Sequence, residues 1–145
     1  MDAFPHHYTV TASSIVQTSD VTVAGNGLSN LRTDAPAEFG GPGDQWSPET
    51  LIMAAVADCF VLSFRAISRA SQVAWHSITC EATGTLDRID RKTQFTAIKL
   101  NVSVMAPEGV DAEKLRRILE KSEDSCLITN SMTASVSLVT ELHIG

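Results

Sequence analysis

This chain is poor in the features that mark several large classes of protein. Among its 145 residues there are only three cysteines, at positions 59, 80 and 126. The number is odd and the spacing wide, so a secreted disulfide framework is excluded and a reducing cytoplasm is the expected compartment. Basic residues are few: eleven Lys and Arg stand against seventeen Asp and Glu, a net charge of -6. A nucleic-acid partner is therefore not expected, because neutralising phosphates needs a basic face. No long hydrophobic run is present. The Met1–Val10 segment lacks the apolar stretch of a signal peptide, and the run Leu51–Val61 is interrupted by Asp58, so no membrane partner is expected either.

Short chemical motifs are equally scarce. The four histidines and three cysteines form no Cys-x-x-Cys or His-x-x-x-His spacing, so no metal site is expected. No Gly-x-Ser-x-Gly elbow supports a serine hydrolase, and the Gly-rich stretch lacks the Gly-Lys-Ser/Thr ending of a phosphate cradle. His6 and His7, close to the N-terminus, read as solvated.

What remains is an ordinary globular composition, 43% hydrophobic and 19% charged, of single-domain length. Alternation at Tyr8–Ser13 and Val21–Val23 predicts short strands, and Gly25-Asn26-Gly27 predicts a hairpin from Val21 through Leu31. A Pro/Gly-rich loop follows, Ala35–Asp44. Ser47-Pro48-Glu49 then has the chemistry of a helix start: a capping hydroxyl, a proline at the first helical position and an acid at the positive end of the dipole. This helix is predicted to reach about Ala70. It is apolar nearly all round, so it is expected to be a buried central helix, covered by sheets or by a partner subunit, with Asp58, Arg65 and Arg69 on one stripe.

Two strands are predicted next, around Ile78–Ala82 and Ile98–Val104. A second helix over Asp111–Glu123 turns Leu115, Ile118, Leu119 and Ser122 to one face, and a last strand carries Ala134, Val136, Leu138 and Leu142 inward. The order is βββ-α-ββ-α-β, an α+β fold by its antiparallel hairpins, in one domain over residues 1–145.

The cysteines differ in context. Cys80 lies on the apolar face of a strand, where a free cysteine is ordinary packing. Cys59 sits in the middle of the apolar helix. Cys126 follows the second helix in the polar stretch Glu123-Asp124-Ser125-Cys126, where packing does not call for a cysteine. Its acidic neighbours are expected to raise its thiol pKa, which suits a resolving thiol better than an attacking one.

Three segments in order, Phe39-Gly40-Gly41-Pro42-Gly43, Ser47-Pro48-Glu49-Thr50-Leu51 and Ala54-Ala55-Val56-Ala57-Asp58-Cys59-Phe60, resemble the OsmC/Ohr superfamily. The resemblance covers nearly the whole chain and includes the ten-residue spacing from Glu49 to Cys59 and a second cysteine, Cys126, before the last strand. It implies reduction of organic hydroperoxides without metal or flavin. Cys59 would attack the peroxide and become a sulfenic acid, Cys126 would condense with it to a disulfide, and an external dithiol would reset the pair. It also implies an arginine that stabilises the thiolate and is held by Glu49. The Ser13–Asp20 region, where the family commonly carries that arginine, has none, so Arg32, the only arginine before Cys59, is the candidate for that role.

Ten helical residues rise about 15 Å, too far for Glu49 to serve the Cys59 of its own chain directly. An interlocked homodimer, with Glu49 acting on the Cys59 of a second copy, is the expectation. Two alternatives keep the fold: a different thiol chemistry, or a non-enzymatic binder of apolar ligands or redox sensor.

Overall fold

The computed structural model describes all 145 residues and divides into two compact units, Met1–Ile52 and Met53–Gly145. In the first unit, three short strands, β1 (Thr11–Ser13), β2 (Val21–Ala24) and β3 (Leu31–Thr33), form an antiparallel sheet in sequence order. The Gly-Asn-Gly segment turns the chain as expected, with the Leu28 amide donating to the Gly25 carbonyl at 3.0 Å. The Pro/Gly-rich loop that follows contains a single 3-10 turn, Ala37–Phe39. Gly41 there is required by close approach: a Cβ on it would lie 1.6 Å from the Ala35 carbonyl oxygen.

Helix α1 spans Pro48–Ala70, and the unit boundary falls in its first turns. Its start is a reciprocal cap. The Thr50 amide donates to Ser47 Oγ at 3.1 Å, and the Ser47 amide donates to Thr50 Oγ1 at 2.8 Å. Two donors that an open helix end leaves unpaired are thus satisfied.

The second unit is a three-stranded sheet, β4 (Ser77–Ile89), β5 (Lys92–Ala106) and β6 (Ser135–Ile144), with β5 in the middle. Strands β4 and β5 form a long antiparallel hairpin. Its two-residue turn places Asp90 and Arg91 at φ 50° and 66°, the left-handed pair that matches the twist of a hairpin. Between β5 and β6 the chain crosses over through α2 (Ala112–Asp124) and the single-turn α3 (Leu127–Asn130), so that β6 runs parallel to β5. The element order is the expected one, and the direction of β6 is what the structure adds. A helical crossover is what a parallel pair demands, and strand periodicity carries no information about direction.

The core lies on one face of this sheet. Ile98, Leu100, Val102, Val104 and Ala106 of β5 pack with Val56, Phe60 and Phe64 of α1 and with Leu115, Ile118 and Leu119 of α2. Helix α2 is capped by Asp111, whose carboxylate accepts the amides of Glu113 and Lys114. Its buried face is the predicted one, Ser122 included.

The expectation of an all-round buried α1 is corrected. Only Val56, Phe60, Phe64 and Ser68 are buried; Leu62 is 57% exposed, and Asp58, Arg65 and Arg69 on the same outer stripe are exposed too. A helix lying on one sheet face buries one stripe, however apolar its other sides are. At 23 residues, with a mean hydropathy of 1.8 over its most apolar stretch, α1 is also long and apolar enough to cross a membrane by length and composition. The short Leu51–Val61 run understated it. The stripe from Val56 to Phe64 packs instead into the core of its own chain.

Candidate thiol site

Cys59 and Cys126 are brought together by the crossover. Cys59 lies at mid-length on α1, beside the buried stripe, and keeps part of its surface accessible. Cys126 is the residue before the first turn of α3 and is 1% exposed. Both are free thiols, and each shifts the acidity of the other. The α3 turn holds this corner through the Asn130 amide and the Thr129 hydroxyl, which donate to the Cys126 carbonyl at 3.0 and 3.2 Å.

The two sulfurs have opposite acidities. Burial raises the Cys59 pKa most; the Ile128 and Leu127 amides oppose this, but the neighbouring Cys126 adds to it, and the net shift is upward. None of these leading influences is a cation. Burial also works against a Cys126 thiolate, yet the Thr129 hydroxyl and amide, the Cys59 thiol and the Ile128 amide outweigh it and bring its pKa down. The sequence expectation for Cys126 is therefore corrected. Amides at the start of α3 govern this sulfur, rather than the acidic Glu123 and Asp124. Those acids act elsewhere: burial, then Asp124 and Glu120, raise the Glu123 carboxyl.

The other two predicted site residues lie in the first unit. Glu49 stands in the first turn of α1, half-buried, with its Oε1 enclosed and lacking any hydrogen-bond partner. Arg32 has its side chain 68% exposed, and its Nε donates to Asp20 Oδ2 at 2.7 Å. The Thr18 hydroxyl and then Arg32 hold the Asp20 carboxyl below its ordinary value. Asp20 is thus the observed partner of Arg32.

Sequence reasoning missed Ile128 and Thr129, which act through a four-residue helix too short to show periodicity. It also missed that Cys80 feels the charge of Cys126. Burial first, and that charge second, push the Cys80 thiol up to about 11.

An α+β chain that joins two distant free cysteines, one accessible and one buried, has the architecture of a thiol redox protein. The sequence profile of the OsmC-like protein family matches residues 41–141, and the chain belongs to that family. Among its relatives, the uncharacterized protein YmaD of Bacillus subtilis (strain 168) is 22% identical over 142 residues, 96% of this chain and 95% of that protein. The peroxiredoxin OsmC of Escherichia coli (strain K12) is 30% identical over 92 residues, 63% of this chain and 64% of that protein. In fold, the chain is similar to an OsmC-like protein of unknown function from Vibrio cholerae, with a TM-score of 0.83, 20% identity, and 95% and 99% of the two chains covered. It is also similar to an organic hydroperoxide resistance protein from Elizabethkingia anophelis, with a TM-score of 0.75, 19% identity, and 98% and 100% covered.

Proposed function

We propose that the protein is a cytoplasmic thiol peroxidase that reduces organic hydroperoxides through Cys59 and Cys126. The observation that carries this reading is the pairing itself: two cysteines far apart in sequence meet as thiol neighbours, the accessible one on α1 and the buried one behind it. Access decides the order of events. A peroxide reaches the partly exposed Cys59 before the enclosed Cys126.

The Cys59 thiolate attacks one peroxide oxygen, the O–O bond breaks, and the alcohol leaves after taking up a proton. Cys59 is then a sulfenic acid. The Cys126 sulfur displaces its oxygen as water and closes a disulfide, which an external dithiol reduces. With Cys59 shifted upward by burial and by its neighbour, the thiolate needs added stabilisation before it attacks at neutral pH. We assign that task to an arginine, Arg32, steered by Glu49, whose enclosed and unpartnered Oε1 is suited to a cation. A second copy of the chain supplies the Glu49 that serves each Cys59, in a homodimer covering the apolar sides of α1.

The test is thiol accounting. Reduced protein receives one equivalent of cumene hydroperoxide, and cysteine peptides are mapped beside a Cys59→Ser variant. Rapid loss of two thiols as a Cys59–Cys126 bridge, absent from the variant, supports the reading; survival of both thiols ends it. One observation favours a different thiol chemistry on the same fold, such as reduction of another small electrophile. Arg32 is bound to Asp20 in an exposed ion pair, which leaves the attacking sulfur without its cation. Peroxide turnover that persists in an Arg32→Ala variant would remove Arg32 from the mechanism.

A further inference from the structure

Two histidines and a methionine meet at one end of the β4–β5–β6 sheet. Strand β5 alternates between core residues, ending in Val102 and Val104, and the outward Lys99, Asn101, Ser103 and Met105. The first three outward residues are polar, as a wetted sheet face requires. Met105 is not, yet it is 53% exposed and lies outside the core. Its neighbours give a thioether there a use. In the β5–β6 ladder Met105 pairs with His143 on the same face, and adjacent strands lie about 4.8 Å apart. From the other side, the His76 amide donates to the Met105 carbonyl at 2.6 Å. His76 is exposed, and its backbone is anchored by the preceding Trp75, which meets Phe64 edge to face with ring centroids 5.3 Å apart. His76, Met105 and His143 line one hollow of about 380 Å³. His143 Nε2 lies 3.2 Å from Glu141 Oε1. With its N–H donated there, the Nδ1 lone pair is free, the arrangement by which a carboxylate orients a metal-binding imidazole.

We propose that His76, Met105 and His143 form a binding site for monovalent copper. The donor set chooses the ion. Thioether and imidazole suit Cu(I), which is satisfied by few ligands. Zn²⁺ takes nitrogen, thiolate or carboxylate donors, usually four, and Mg²⁺ and Ca²⁺ take oxygens. Copper stays monovalent on binding, so no electron moves and no co-reactant is needed. Met105 is 53% exposed and the His143 side chain 51%, which suits an ion that is handed on rather than retained. The spacing motifs of the sequence hide this site. Its donors come from the approach to β4 and from two strands that only the sheet brings together, and methionine has no place in a Cys-x-x-Cys or His-x-x-x-His pattern. The site stands apart from Cys59 and Cys126 and does not rest on the peroxidase reading.

The experiment follows each donor separately, because cysteine thiols also take up copper. Reduced protein with isotope-labelled methionine methyl groups has its accessible thiol, Cys59, alkylated. It is then titrated with Cu(I), supplied as the acetonitrile complex without oxygen, while methionine methyl and histidine ring signals are recorded by NMR. The Met105 methyl and the His76 and His143 rings are expected to shift together with one midpoint, while Met1, Met53 and Met132 serve as internal controls. A Met105 methyl that stays in place, or a His76 ring unmoved while His143 shifts, overturns the three-donor site without appeal to any variant. Met105→Leu keeps the volume of an exposed side chain and is expected to keep the melting temperature, but to lose the joint shift of the two rings at the same copper concentrations. Rings that respond as in wild type overturn the role of the thioether. Glu141→Gln should weaken binding about tenfold. Zn²⁺ in place of copper is expected to leave the Met105 methyl where it was, and a Met105 shift matching that with Cu(I) overturns the selection for a soft monovalent ion.

Discussion

Cys59 keeps its proton where Cys126 gives one up. The two sulfurs are neighbours, burial weighs on both, and the amides and hydroxyl at the start of α3 tip the balance toward a Cys126 thiolate. Such a pair loses its protons in two coupled steps, the first easier than for a free cysteine and the second harder.

Removing either partner should move the other in a stated direction. Cys126 raises the Cys59 pKa, so Cys126→Ser is expected to make Cys59 more acidic and faster to alkylate near neutral pH. Cys59 lowers the Cys126 pKa, so Cys59→Ser is expected to make Cys126 less acidic. Alkylation rate against pH, read separately for each cysteine peptide, checks both. Unchanged profiles in both variants would mean that the sulfurs do not interact.

Cys80 predicts a loss of stability in alkali. Its folded pKa is about 11 and its unfolded value about 9, so between these pH values the unfolded chain holds fewer protons than the folded one. Stability from this group is complete below pH 9 and drains away toward pH 11. Thermal midpoints of wild type and Cys80→Ala across that window should converge as pH rises, because the variant lacks this sensitivity. Parallel curves would refute the shift.

The start of α1 predicts a modest effect. Ser47→Ala removes the Oγ that accepts the Thr50 amide and should cost about 1 kcal/mol, lowering Tm by roughly 2–4 °C. Ser47→Asp, which restores an acceptor, should recover most of the loss in the same melt.

Phe60 predicts a large one. It is fully buried against the sheet, one residue after Cys59, and Phe60→Ala should destabilise the fold by about 3–5 kcal/mol. Denaturant unfolding measures it directly. Phe60→Leu, keeping most of the volume, is expected to retain most of the stability.

Much of this architecture can be read from residue pattern alone. The cap at Ser47, the α2 face of Leu115, Ile118, Leu119 and Ser122, and the alternating core residues of β5 all follow from local periodicity and side-chain chemistry. So does the outer stripe of Asp58, Arg65 and Arg69 on α1. Quantities set by distant neighbours do not follow. The parallel sense of β6, the one-sided burial of α1 and the downward shift of Cys126 each depend on what tertiary structure puts beside a residue. The engagement of Arg32 by Asp20 is of the same kind: twelve residues and a strand pairing separate them, and only the folded sheet makes them partners.

The separation between Cys59 and Cys126 along the chain has a thermodynamic consequence. A bridge between them would close a loop that contains the β4–β5 hairpin and all of α2. Cross-linking so long a loop removes entropy from the denatured ensemble worth about 4 kcal/mol. Oxidised protein should accordingly resist unfolding more than reduced protein does. By the same cycle, the native topology should favour bridge formation by that amount over the same two thiols in an unfolded chain. Redox poise and conformational stability are then one linked quantity, and melting the protein at a series of fixed thiol–disulfide ratios would read both from a single set of curves.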